Sequence, residues 1–152
     1  MKESEPLLVF FLDEQRYGLP LSVVDRVVRV AAFTPLPKAP DVVLGVINIQ
    51  GRVTPVINMR RRFCLPEREL ALTDQMIVAH TRRRNLALIA DAVQDVITYP
   101  AQSLLAAEHI VPGVEYVSGV IKLNDGLVLI HDLDEFLSLE EEDSLKQALE
   151  IF

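Results

Sequence analysis

Residues 45–63, GVINIQGRVTPVINMRRRF, decide how the rest of the chain is read. Two runs rich in β-branched residues, 46–49 and 53–57, flank a short turn centred on Gly51 and Arg52. Glycine first in a two-residue turn suits a type II′ hairpin, because without a Cβ it reaches φ > 0 cheaply. That register sets Ile47 opposite Val56 and Ile49 opposite Thr54, with Val46, Asn48 and Gln50 on the other face. Apolar residues on both faces predict a hairpin buried on both sides. Pro55 has no N–H to donate, so it belongs at an edge or a bulge.

Working outward, half of the 152 residues are apolar, yet only 6% are aromatic and none is Trp, so the core rests on Val, Ile and Leu. With nine prolines, that bias favours strands over long helices. The single cysteine, Cys64, excludes an internal disulfide, and its place after an apolar helical turn predicts a buried, inert thiol. No secretory leader and no membrane-spanning apolar run is visible, which predicts a cytoplasmic protein. The net charge of −7 resides in residues 132–152, where eight acids face Lys146 alone. The remainder is balanced, which argues against nucleic acid as a partner.

Strands are expected at 7–12, 16–21 and 27–33, with a turn capped by Ser22 covering 23–26. After the central hairpin come a helical turn at 60–63 and a polar loop to about residue 74. A second set follows: a hairpin of 75–81 and 85–90, a strand at 93–99, and an irregular stretch over 100–115. Strands 116–124 and 127–131 then turn on Asp125-Gly126, a pair suited to type I′. A short helix covers 132–137. Ser138 to Glu141 forms a capping box, and Leu145, Leu149 and Phe152 make an apolar stripe on a terminal helix whose acids face water.

The two sets are outline copies. Residues 9–30 match 78–99 at an offset of 69, and 45–63 match 119–137 at an offset of 74. The expected architecture is all-β with short helices: two SH3-like five-stranded β-barrels packed together, plus a C-terminal acidic amphipathic helix. One domain, 7–137, divides into barrel one at about 7–65 and barrel two at about 74–137, followed by the helix at 138–152. A barrel of about 60 residues buries little surface alone, so the halves should share a hydrophobic interface.

Catalytic constellations are hard to find. His131, Asp132 and Asp134 could ligate a divalent metal and make a small metal-dependent enzyme. However, Asp132 aligns with Asn58 at a strand-to-helix junction, where an N-cap is the better account, and His131 is expected opposite Val120 on the polar side of its ribbon. No phosphate-cradling glycine motif exists. Residues 60–62 and 82–84, two arginine triplets, read as solvated surface. Polar Asn48 and Gln50 near the hairpin turn, with Val24 and Arg26 beside the third strand, resemble a protein–protein patch.

Tyr17-Gly18, the prolines from Pro37 to Pro40, the run from Leu44 to Asn48, Gly51, and Pro55-Val56-Ile57 carry a recognisable order and spacing. Together with GLVLIHDLDEFL, they make the chain resemble the CheW family of chemotaxis coupling proteins from about Leu7 to Leu137. The resemblance implies a non-catalytic adaptor of two barrels, monomeric on its own and without cofactor or metal. Its implied partners are the regulatory domain of a CheA-type histidine kinase and the cytoplasmic tip of a chemoreceptor at receptor arrays. Service in a motility or second-messenger pathway is the alternative. Carried over by position, partner contacts fall on Val24, Arg26, Gly45, Asn48, Gln50 and Gly51. The family often has Arg at the position of Gln50 and an acid at that of Arg26, and such a charge exchange would alter partner choice.

Overall fold

Two hairpins in this protein are apolar on both faces, and they organise the fold. The first joins β1 (Leu7–Leu12) to β2 (Gln15–Pro20); the second joins β6 (Gln75–His80) to β7 (Asn85–Ala90). The computed structural model describes residues 5–106 and 117–151. Its remaining strands are β3 (Val24–Arg29), β4 (Val43–Ile49), β5 (Arg52–Ile57), β8 (Ala92–Ile97), β9 (Leu104–Ala106), β10 (Val117–Leu123) and β11 (Gly126–His131). Two helices, α1 (Met59–Arg62) and α2 (Leu139–Ile151), complete the described elements together with short 3-10 turns.

The strands form two packed sheets in the orders β8-β1-β2-β11-β10-β9 and β3-β6-β7-β5-β4. This is an all-β fold of two five-stranded SH3-like units, β9 being an added edge strand. The unit boundaries differ from expectation, because the halves exchange their opening hairpins. Strands β1 and β2 lie between β8 and β11 of the second half, and β6 and β7 lie between β3 and β5 of the first. No cut between residues 65 and 74 separates two barrels. The internal repeat survives the exchange: the offsets of 69 and 74 carry β3 onto β8, β4 onto β10 and β5 onto β11.

Side-chain alternation gives the reason. Leu8, Phe10 and Leu12 of β1 enter a core shared between the sheets, while Leu7 and Val9 face Ile121, Val128 and Ile130 within their own unit. In the second hairpin, Leu86 and Leu88 enter the shared core, while Met76, Ala87 and Ile89 pack with Val56. Full burial of such a side chain contributes roughly 1.5–3 kcal/mol. Only a central position buries both faces of a hairpin. The 45–57 hairpin, expected there, is buried at its base alone; Asn48, Gln50, Gly51 and Val53 are exposed.

Its turn also sits one residue earlier than expected. Ile49 pairs with Arg52 and Ile47 with Thr54, so Gln50 (φ 51°) and Gly51 (φ 83°) form the turn. Two positive φ values make it type I′, and Asn48 Oδ1 stabilises it by accepting the Gly51 N–H at 2.8 Å. Each strand moved by one residue, so the division into faces is unchanged. Pro55 lies opposite Val46, whose N–H and C=O both bond to Thr34. The proline nitrogen therefore points away from β4, at a place where β5 is not yet paired with β7. The β10–β11 turn shifts in the same way: Leu123 pairs with Gly126, leaving Asn124 and Asp125 as the turn residues. Neither has positive φ, so the turn is not type I′.

Strand β3 begins at Val24, where a capped turn was expected; the 3-10 turn at Leu21–Val23 has no side-chain cap. Asn58 caps α1 by accepting from the Arg61 N–H at 3.0 Å, as anticipated. Cys64 is exposed rather than buried, because with φ 57° it occupies the left-handed position after α1. The Cys64 and Leu65 N–H groups return to the Arg61 and Arg60 carbonyls in a Schellman closure. The Tyr116 strand start, the 107–115 part of the irregular stretch and Phe152 lie outside the described residues.

The terminal helix begins at its capping box: Ser138 Oγ accepts the Glu141 N–H at 3.1 Å, and Glu141 accepts the Ser138 N–H at 2.9 Å. Its buried stripe is Glu142, Leu145 and Ala148, so its acids do not all face water. Glu141 pairs with Arg62, and Glu142 accepts from Arg84 Nε at 3.0 Å. Burial pushes the Glu141 carboxyl up, but the Ser138 N–H and Arg62 outweigh it and hold the group below its ordinary value. Arg84→Ala leaves Glu142 without its cation at a poorly solvated site. Stability should fall by about 2–3 kcal/mol, with amide exchange accelerating most over residues 139–151. Unchanged exchange there would mean that Leu145 and Ala148 hold the helix unaided.

Candidate functional site

The second sheet curls until its edge strand β3 approaches the β4–β5 turn. The result is an open cleft of about 560 Å³ lined by Arg26, Gln50, Arg52, His80 and Asn85 among others. Arg26 projects from β3 opposite Val78, just past a bulge at Asp25, and Gln50 comes from the opposite side. Among the described residues the Asp25 carboxylate pairs with no arginine; it lies 3.0 Å from His80 Nδ1. A second cleft of about 510 Å³ adjoins the first, sharing Arg52 and Asn85 and continuing past Val53 to Arg83.

Of the six residues singled out in the sequence, only Arg26 and Gln50 line this cleft. Asn48 and Gly51 build the adjacent turn, and Asn48 spends its carbonyl oxygen within it. Gly45 is buried and lets Thr34 approach; Val24 is half-buried and packs on the shared core. Arg52, Arg83, His80 and Asn85 were not anticipated as neighbours. Their common location depends on sheet curvature, and the only sequence trace of it was basic residues at two hairpin turns.

Half of the arginines in the two triplets prove to be internal ties. Arg60 is buried and donates to Asp13 at 2.7 Å, to Asp91 at 2.6 Å and to the Pro66 carbonyl at 2.9 Å. Arg61 pairs with Glu67, Arg62 with Glu141, Arg82 with Asp134 and Arg84 with Glu142. The expectation of a solvated surface fails for Arg60, Arg62 and Arg84, because the β1–β2 turn, the end of β7 and helix α2 bring acids onto them. Arg61, Arg82 and Arg83 are exposed and fit it.

Around Arg60 lies a smaller apolar hollow of about 170 Å³ with Phe33, Leu44 and Ile89 in its walls and Arg68 at its rim. Arg68 bridges Asp74 and Asp91 at 2.6 and 2.7 Å. Burial raises the Asp74 pKa, but the Arg68 hydrogen bond and the Ala71 N–H hold it below the usual carboxylate range.

The residues considered as metal ligands are otherwise engaged. Asp132 caps the 3-10 turn Leu133–Glu135 by accepting the Asp134 N–H at 3.1 Å, and Asp134 accepts the Arg82 N–H at 3.0 Å. His131 lies opposite Val117, not Val120, and is buried rather than on a polar face. Its ring sits among Phe63 (4.3 Å between centroids), Tyr17 (4.7 Å) and Phe136 (5.3 Å). Among the described residues neither ring nitrogen has a hydrogen-bond partner, and burial pushes its pKa down to about 3.

Comparisons with known proteins agree with this geometry. Residues 6–141 match the family model described as the CheW-like domain. The chain is 30% identical over 146 residues to the chemotaxis protein CheW of Bacillus subtilis, covering 95% of this chain and 94% of that protein. It is 27% identical over 145 residues to the chemotaxis protein CheW of Treponema pallidum, covering 91% and 85% respectively. The crystal structure of the scaffolding protein TtCheW from Thermoanaerobacter tengcongensis superposes with a TM-score of 0.82 at 28% identity, over 90% of this chain and 94% of that one. Among the described residues, no helix is long and apolar enough to cross a membrane. The match over 6–141, the relatives and the fold shared with a solved scaffold place this chain in the CheW-like family, whose members are non-catalytic scaffolds of chemotaxis.

Proposed function

We propose that the protein couples the cytoplasmic tip of a chemoreceptor to the regulatory domain of a CheA-type histidine kinase, on the cytoplasmic side of a receptor array. The observation that carries this reading is the cleft, where Arg26 and Gln50 come together although 24 residues separate them in sequence. Arg26, Gln50 and the turn built by Asn48 and Gly51 would form the receptor-facing surface, with Gly45 and Val24 supporting it from behind. A unit of the kinase regulatory domain, of the same fold, would dock on one of the two five-stranded units. The protein would transmit receptor conformation by holding both partners in register, without chemistry of its own. Each contact would be modest, and the array would gain strength from simultaneous engagement.

The test is titration of the purified protein with a receptor cytoplasmic fragment and a CheA-type regulatory domain from the same cell. A ternary complex of one copy each by light scattering is the expected result. Binding of only one partner at a time, or of neither, removes the coupling role and leaves a two-unit interaction module.

A further inference from the structure

Seven arginines form ion pairs within the chain, whereas among the described residues Arg26, Arg29, Arg52 and Arg83 form none. Three of these four line the two adjoining clefts at one end of the second sheet. The acid lining either cleft, Asp25, is already engaged by His80. A surface with uncompensated positive charge is unexpected in a chain of net charge −7, where acids elsewhere are drawn onto nearly every other guanidinium. Val53, 50% exposed, lines the second cleft beside Arg52 as an apolar contact point.

We infer that the two clefts form one basic groove for an acidic segment of a partner protein, with carboxylates meeting Arg26, Arg52 and Arg83 and an apolar side chain over Val53. A guanidinium fork matches a carboxylate through paired N–H donors, and like-charged partners are repelled from such a groove. A nucleic acid strand fits less well. A strand longer than the groove would run on past Arg82 and Arg84 to Asp134 and Glu142, the acids that hold them, whereas a short acidic segment ends within the groove. This inference names the chemistry of the receptor surface and rests on the coupling reading for the identity of that partner.

The test uses a labelled helical peptide bearing glutamates one turn apart, its glutamine counterpart, a single-stranded oligonucleotide and the receptor cytoplasmic fragment. Each is titrated into the intact protein, into Arg52→Glu/Arg83→Glu, and into Arg29→Glu, whose arginine is unpaired but lies outside both clefts. Circular dichroism checks that these exposed substitutions leave the fold unchanged. The glutamate peptide should bind the parent and Arg29→Glu alike, about tenfold more weakly to the double reversal, and more weakly as salt rises. Equal binding of the glutamine peptide, indifference to the double reversal, or tighter binding of the oligonucleotide overturns the inference. Receptor binding unaffected by the double reversal also overturns it while leaving coupling intact. Loss of receptor binding by the parent protein, with peptide binding retained, removes the coupling reading and leaves the groove.

Discussion

Gly45→Ala should destabilise the protein by about 3 kcal/mol or more, read as a fall in the midpoint of urea unfolding. A Cβ on this glycine would lie 2.3 Å from the Thr34 carbonyl oxygen, 2.9 Å from its carbon and 3.0 Å from Phe33 Cδ2. The Thr34 carbonyl cannot step aside cheaply, because it accepts the Val46 N–H at 2.7 Å while the Thr34 N–H donates to the Val46 carbonyl at 2.9 Å. The two-residue bridge fastens the 30–40 segment to the inner part of β4, so relief of the clash requires breaking it. A loss below about 1 kcal/mol would show that the segment yields and that the bridge is soft. Gly45 is buried, so weakened partner binding by this variant would track stability rather than a lost contact.

Lowering the pH from 6.5 to 4.5 should cost about 2–3 kcal/mol of stability through His131 alone. The folded protein keeps this imidazole neutral, with a pKa near 3, while the unfolded chain takes up the proton near 6.5. Between those values the unfolded state binds more protons, so stability falls as pH falls and levels off below about 3. Asp74 and Glu141 have lowered carboxyl pKa values and lose their contributions below their ordinary values near 4, so the window from 6.5 to 4.5 belongs chiefly to the histidine. His131→Phe should remove the slope in that window. It should also raise stability at pH 7, since both buried ring nitrogens lack partners among the described residues and a buried unsatisfied polar group costs roughly 1–3 kcal/mol. Neighbouring Phe63, Tyr17 and Phe136 already make the site suitable for an aromatic ring. A variant that keeps the slope would assign the pH dependence elsewhere.

Residue patterns in the chain determined the element types, the duplicated order of strands, the Asn58 and Asp132 caps and the Ser138 capping box. All of these depend on neighbours within a few residues. They also carried the family, since the spacing from Tyr17-Gly18 to Pro55-Val56-Ile57 persists whatever pairs with what. Only the tertiary structure decided the rest. The hairpin exchange arose because β1–β2 and β6–β7 are apolar on both faces and find a second apolar partner only between the two sheets. Local pattern states that a strand is buried twice; it does not state by which half. The turn at Gln50-Gly51 turned on a side-chain acceptor, Asn48 Oδ1, which made positive φ acceptable at a non-glycine residue. Arg60, Arg62 and Arg84 became internal ties because distant acids, Asp13, Asp91, Glu141 and Glu142, meet them across the fold. The basic groove has the same origin: Arg26, Arg52 and Arg83 share no local motif, and it is the curl of one sheet that brings them to a common face.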